Sequence, residues 1–183
     1  MKTNLFEDSL KKGKATEDTV MNLMDNHAKW YVVPVRDVIE WRRKDIDFLF
    51  INKYNNYYSR VECKSWIGWD DAIIIELYDR IETNHKGWFY TTEADDIIWA
   101  KGQTIIWVKW QPFKEWVEKV LNDELFQGFK AYFTELKNKS DWKGGNTATS
   151  LCYIVNINGI VEEAEAKGIK LLWTYKKIKK IKF

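Results

Sequence analysis

Two stretches decide the predicted fold: Asp45-Ile46-Asp47-Phe48-Leu49-Phe50-Ile51 and, after the polar run Asn52-Lys53-Tyr54-Asn55-Asn56, Tyr57-Tyr58-Ser59-Arg60-Val61-Glu62-Cys63-Lys64. Polar and apolar residues alternate in both, which is typical of β-strands, and the run between them is rich in turn-forming asparagine. Side chains two positions apart on a strand share a face. In a hairpin of these strands, Asp47, Glu62 and Lys64 can therefore converge at one place. Two acids and a lysine there could hold a hard divalent cation against a phosphate.

The spacing of Glu62 and Lys64 is not distinctive by itself. The acid-x-Lys triplet also occurs at Glu135-Leu136-Lys137, Asp141-Trp142-Lys143 and Glu165-Ala166-Lys167. Only Glu62 follows a second acid across a predicted hairpin, whereas Glu135 and Glu165 lie in helical patterns. The alternative interpretation, ordinary cross-strand charge pairs on a solvated sheet face, stays open.

Glu17 is a further candidate site residue. It ends the run Gly13-Lys14-Ala15-Thr16-Glu17, and Val20, Leu23 and Met24 follow it at helical spacing. Glu17 lies one turn before these residues on nearly the same stripe, so it would face the core side of a first helix, where acids are rare. The alternative is an acid placed in the first turn by the helix dipole.

The other periodicities predict an α/β sandwich built around a mixed sheet, in a single domain spanning residues 1–183. The hairpin strands cover about 45–51 and 58–65, and Pro112 suits the first turn of a later helix. Further strands are predicted at 30–35, 72–77, 97–99, 104–110, 151–156 and 169–175, a helical turn near 91–95, and helices over 8–27, 113–121, 125–136 and 159–166.

Composition limits the classes of protein that fit. The net charge is only +2, from 29 basic and 27 acidic residues, so any nucleic-acid surface must come from local clustering. No apolar signal segment opens the chain and no stretch of eighteen apolar residues occurs, which predicts an intracellular, cytoplasmic protein with no membrane partner. Cys63 and Cys152 are expected as buried thiols, and His27 and His85 show no zinc-ligand spacing with them.

The order of these candidate residues resembles that of the PD-(D/E)XK nuclease superfamily: Glu17 on a first helix, Asp47 on a strand and Glu62-x-Lys64 on the next strand. The resemblance is greatest to the small Holliday-junction-resolvase-like and phage-encoded members. The run from Gly87 to Trp99 is similar to a Gly-Trp…Thr-x-Ala-Asp segment of phage members. The resemblance covers about residues 10 to 110. One departure is that Ile46, and not proline, precedes Asp47, which leaves Asp45 as a competitor for the first ligand position.

The resemblance implies a restriction-endonuclease-like fold, a central mixed β-sheet flanked by helices, and a Mg²⁺-dependent nuclease that cleaves duplex, branched or junction DNA, with Mn²⁺ able to substitute. Asp47, Glu62 and the Cys63 carbonyl would hold the metal, and Glu17 would complete the site directly or through a water. Lys64 would orient the attacking water and stabilise developing charge. The alternative is the same fold without catalysis, binding nucleic acid or a protein partner.

Several residues are candidates for DNA contact. Lys11, Lys12 and Lys14 cluster on the first helix, and Trp66 and Trp69 follow Lys64 closely enough to stack on bases near the site. A lysine-rich end, 176–183, could also contact phosphates, or could be a solvated terminus. Tryptophans in such positions more often pack a core edge, which is the alternative interpretation. The apolar stripes of 113–136 are expected as core helices, although a broad aromatic face could also serve a homodimer interface.

Overall fold

The computed structural model describes residues 5–24, 27–65, 72–101, 104–122, 127–141 and 147–179. The chain forms two compact units. One comprises Met1–Trp66, Glu93–Gln111 and Thr174–Phe183, and the other comprises Ile67–Thr92 and Pro112–Trp173. The protein is of the α/β class, and its described residues form two sheets, one of them mixed.

The first unit is built on a six-stranded sheet with the order β1-β2-β3-β6-β7-β10. Neighbouring strands are antiparallel except β3 and β6, which are parallel. The elements of this unit are α1 (Leu5–Met24), β1 (Trp30–Pro34), α2 (Ile39–Arg42), β2 (Phe48–Asn52), β3 (Tyr58–Ser65), β6 (Asp96–Lys101), β7 (Thr104–Lys109) and β10 (Tyr175–Lys179).

Helix α1 packs on one face of this sheet because its apolar stripe meets apolar side chains of the strands. Val20 and Met24 are fully buried in a cluster with strand residues from the sheet. The strand members of this cluster are Phe48, Phe50, Val61, Ile98, Ala100, Ile105 and Trp107. Alternate burial along β2 and the antiparallel β2–β3 pairing confirm the predicted hairpin.

The second unit contains an antiparallel sheet with the order β5-β4-β9-β8. Its elements are β4 (Ala72–Arg80), β5 (His85–Lys86), α3 (Trp88–Thr91), α4 (Trp110–Asn122, which begins in the first unit), α5 (Gln127–Lys130), β8 (Phe133–Asp141), β9 (Thr147–Asn156) and α6 (Ile157–Ala166). Phe113 and Trp116 pack their rings against Trp173, with centroids 4.9 and 5.4 Å away. The predicted stripe of α4 is therefore a core stripe.

Three predicted elements are wrong in place or type. The helix predicted over 125–136 is instead the short α5 followed by β8, so Glu135 lies on a strand, where pairing with β9 outweighs the local helical spacing. The last strand is at Tyr175–Lys179 and not at 169–175, because pairing with β7 starts at Tyr175. The predicted turn near 91–95 is the helix α3, which ends at Thr91.

Candidate active site

The candidate site lies where the start of β2 meets the end of β3. The Asp47 amide donates to the Val61 carbonyl at 2.9 Å, one residue before β2 begins. The Asp47 carboxylate accepts from the Cys63 amide at 2.8 Å. Antiparallel pairing therefore carries Asp47 to the segment Glu62–Lys64, as the hairpin predicts, and the Cys63 amide holds its carboxylate in place.

Glu62 is the most buried acid of this group. It is 4 % exposed, and its Oε1 forms an ion pair with the Lys64 Nζ. Its Oε2 is buried and has no hydrogen-bond partner among the described residues. Burial, opposed by Lys64 and reinforced by the nearby Asp47 charge, raises the pKa of Glu62 to about 8. A buried carboxyl oxygen without a hydrogen-bond partner is energetically costly. Binding of a cation or a proton at this atom would remove that cost.

Lys64 stays protonated at neutral pH. Burial lowers the pKa of Lys64, but the Glu62 carboxylate, supported by Asp45 and Asp47, outweighs burial and holds the pKa above its usual value. Cys63 lies between Glu62 and Lys64 in the sequence. Burial raises the pKa of the Cys63 thiol well above its usual value, so the thiol is neutral and is not a candidate nucleophile.

Glu17 reaches the site from α1. Its carboxylate forms an ion pair with Arg36, which lies in the β1–β2 connection and was not anticipated from the sequence. Burial and the charge of Asp47 raise the pKa of Glu17, and Arg36 opposes them. Burial likewise raises the pKa of Asp47. Glu17, Asp47, Glu62 and Lys64 all act electrostatically on the Cys63 thiol. Direct contacts join Glu62 to Lys64 and the Asp47 carboxylate to the Cys63 amide.

Asp45 does not share the geometry predicted for it. Its φ of 54° lies in the left-handed region, and it precedes β2 instead of standing two positions along the same strand. The turn that forces this conformation is closed by the Ile46 amide, which donates to the Trp41 carbonyl at 3.0 Å. Asp45 nevertheless remains close enough for its charge to act on Asp47, Glu62 and Lys64.

The carboxylates of the candidate site have the right oxygen atoms for a hard cation but are not arranged around one. As the side chains stand in the described ranges, no group of three or more His, Cys, Asp and Glu residues could hold a metal ion. Arg36 engages Glu17, Lys64 engages Glu62, and the Cys63 amide engages Asp47. The oxygen donor set is nonetheless the one Mg²⁺ prefers, and the buried, unpartnered Oε2 of Glu62 is an atom that such an ion would satisfy.

The residues predicted to contact DNA are only partly described. Lys11, Lys12 and Lys14 are exposed on α1. Lys12 lines a surface groove with Thr16, Ser65 and Lys101, and the hydroxyls of Thr16 and Ser65 are 3.2 Å apart. Ser65, which lines this groove, directly follows Lys64 in the sequence. Trp66 and Trp69 lie outside the described residues.

The segment between Gly87 and Trp99 contains two aspartates, Asp95 and Asp96, that form polar contacts with neighbouring strands. Asp95 accepts two hydrogen bonds from the Arg60 guanidinium, at 2.8 and 3.1 Å. Asp96 is fully buried, receives a hydrogen bond from Ser59 and pairs with Lys109 at 2.8 Å. Both aspartates therefore hold the neighbouring strands β3, β6 and β7 together beside the site.

Two further results concern membrane-spanning helices and similarity to known proteins. Among the described residues, no helix is both long and apolar enough to cross a membrane. Comparisons of the chain with protein-family models, with curated proteins and with solved structures found no match in any of the three.

Proposed function

We propose that this protein is a Mg²⁺-dependent nuclease that hydrolyses phosphodiester bonds in DNA, with a restriction-endonuclease-like fold of the PD-(D/E)XK type. One observation carries the proposal. Asp47, Glu62 and Lys64 meet where β2 and β3 pair, and the buried Oε2 of Glu62 has no hydrogen-bond partner among the described residues. Ordinary surface charge pairs contribute only about 0–1 kcal/mol and do not account for an acid buried this deeply.

The residues that would hold the ion are Asp47, Glu62 and the Cys63 carbonyl, with Glu17 binding directly or through a water. When bound, Mg²⁺ would lower the pKa of a coordinated water and neutralise charge that builds on the phosphate. Mn²⁺ has similar ligand preferences and is expected to substitute.

The chain's own groups have separate tasks in this proposal. The Cys63 amide fixes the Asp47 carboxylate, so that acid needs little rearrangement when substrate binds. Lys64 keeps its proton on Nζ and presents a positive charge to a phosphate oxygen and to the attacking water. Its side chain is 21 % exposed, which leaves it within reach of substrate. Arg36 pairs with Glu17 and opposes the burial and the Asp47 charge that raise the pKa of this acid.

A second candidate function has its own support. Arg36 and Lys64 already neutralise Glu17 and Glu62 within the protein, as they would in a nuclease fold that binds nucleic acid or a protein without cutting it. The two candidates differ in one respect: only the nuclease requires divalent metal and Lys64 for an observable reaction.

The test is a cleavage panel. Wild type and Asp47→Ala would be incubated with single-stranded, duplex, flapped and four-way-junction DNA and with RNA, in Mg²⁺ and in Mn²⁺, after each variant is checked for folding. We expect the wild type to cut at least one DNA substrate and Asp47→Ala to cut none. Binding without cutting on every substrate would favour the non-catalytic module.

A further prediction concerns the groove beside Ser65. If Lys12 contacts a phosphate of duplex DNA, Lys12→Gln should weaken binding on all sequences alike. It should also reduce the slope of log Kd against log salt by about 0.9, the value for one lost phosphate contact. Fluorescence anisotropy over a salt series measures this slope. Lys29 is an exposed lysine just before β1, so Lys29→Gln is the matched control and should leave the slope unchanged.

A further inference from the structure

The connection between β1 and β2 carries an exposed apolar and basic surface beside the candidate site. Its helix α2 has no buried residue, and Val38 and Ile39 next to each other are 46 % and 55 % exposed. Three basic residues, Arg42-Arg43-Lys44, follow in sequence. Exposed apolar groups next to clustered positive charge are typical of a surface that meets a ligand carrying both apolar rings and phosphate.

This connection is held firmly despite its exposure. The Val35 amide donates to the Asp47 carbonyl at 2.8 Å and closes the base of the connection. The amides of Lys44 and Ile46 both donate to the Trp41 carbonyl at 3.0 Å, and Ile46 is 1 % exposed. These bonds fix the backbone of Trp41 relative to that of Asp47.

A cavity of about 420 Å³ lies against this ring, and it is lined by Glu40, Trp41, Arg43 and Lys44. Within the described part of the chain, the half-buried Trp41 ring stacks on no other aromatic side chain. Lys44 pairs with Glu93 at 3.1 Å, yet its side chain is 44 % exposed. The lining thus combines an aromatic face, a hydrogen-bond acceptor and two cations, in a volume suited to a small ligand.

The lining of the cavity is joined to the candidate site through the chain. Asp45 follows Lys44 directly, and its charge acts on Asp47, Glu62 and Lys64. At the other end of the connection, Arg36 pairs with Glu17. A ligand in the cavity would therefore be within the same electrostatic neighbourhood as the proposed catalytic residues.

We propose that this cavity, here called the Trp41 pocket, holds one unpaired nucleotide of a DNA strand whose neighbouring phosphodiester reaches Asp47, Glu62 and Lys64. The base stacks on Trp41, the Glu40 carboxylate accepts from an amino group of the base, and Arg43 and Lys44 contact its phosphate. A paired base inside a duplex cannot offer its face to a side chain, so the pocket selects flapped, single-stranded or branched DNA. This proposal deepens the proposed nuclease function and rests on it for the place of cutting.

Binding measured in EDTA, where a metal-dependent nuclease leaves DNA intact, tests the pocket independently of cleavage. The probes are a flapped DNA, the matching duplex, and a set of flapped DNAs in which one unpaired nucleotide at a time lacks its base. We expect Trp41→Ala to weaken flap binding by about fivefold or more, with Trp41→Phe close to wild type and duplex binding unchanged. Tyr57→Ala, an exposed aromatic in the β2–β3 turn, is the matched control.

The base-less probes give the sharpest result. Wild type should lose affinity when one particular base is missing, and Trp41→Ala should show no such loss at any position. Arg43→Gln, which keeps the ring, should weaken every flapped probe equally and retain the positional loss. Equal affinities of wild type and Trp41→Ala for all probes would overturn the pocket even if the protein cuts DNA. A positional loss in a protein that never cuts would support the pocket while the nuclease proposal fails.

Discussion

Lys64→Met should reduce the rate of DNA cleavage by about 10²–10³-fold, the usual loss when one preorganised group that stabilises transition-state charge is removed. Methionine retains much of the side-chain length and packs well in an apolar setting, so the change removes mainly the charge. Lys64 pairs with Glu62, and in the variant the raised pKa of Glu62 allows that acid to take up a proton instead of remaining as a buried charge. Single-turnover cleavage at saturating metal measures the loss.

The chain contains a matched control for this variant. Lys137 belongs to the triplet Glu135-Leu136-Lys137 on β8, and its Nζ lies 2.9 Å from the Glu135 carboxylate, so it forms the same local ion pair as Lys64. This second pair is exposed and belongs to the other unit. Lys137→Met should therefore cleave at the wild-type rate. Equal rates for Lys64→Met and wild type, with both folded, would remove Lys64 from the mechanism.

Divalent cation should stabilise the protein more at pH 8.5 than at pH 5.5. The pKa of Glu62 is about 8 in the folded protein against an ordinary 4.5, so between these values the folded state binds more protons than the unfolded state. The free energy of unfolding therefore falls as pH rises through this window, by an amount on the order of a few kcal/mol. The pKa values of Glu17 and Asp47 are also raised, and they act in the same direction.

Thermal unfolding in EDTA and in Mg²⁺ at the two pH values measures this linkage. In EDTA we expect the melting temperature to fall by roughly 5–10 °C from pH 5.5 to pH 8.5. Mg²⁺ should restore part of the loss at the higher pH and have little effect at the lower, where protons compete for the same carboxylates. Glu62→Gln should show a flatter pH dependence and a smaller response to metal. A wild-type melting temperature that Mg²⁺ leaves unchanged at both pH values would contradict binding at these acids.

Local periodicity predicted much of the fold because several elements bury one face. The alternation around Phe48 and Phe50 predicted β2, and the turn-forming asparagines after it predicted the hairpin with β3. The spacing of Val20 and Met24 predicted α1 and the face that it buries. The juxtaposition of Asp47 with Glu62 and Lys64 followed from the hairpin alone, since antiparallel pairing brings the start of one strand to the end of the next.

Features that depend on distant contacts could not be predicted in this way. The apolar spacing from Phe133 to Leu136 also fits a helix, and only pairing with β9 makes this segment a strand. The partner of Glu17 was missed because Arg36 lies nineteen positions away, in a connection whose path the strands determine. The Trp41 pocket had a signal in the sequence, the basic run Arg42-Arg43-Lys44 directly before Asp45, but its cavity depends on how the connection folds.

The most direct test of the proposed function is cleavage of a flapped DNA by wild type and by Asp47→Asn, each with Mg²⁺ and with EDTA. Asparagine keeps an oxygen that can accept from the Cys63 amide, so the variant should fold while losing the carboxylate charge. The proposal predicts cleavage only by wild type with Mg²⁺. Cleavage that persists in Asp47→Asn or in EDTA, or a folded wild type that does not cut the flapped DNA with Mg²⁺, would contradict it.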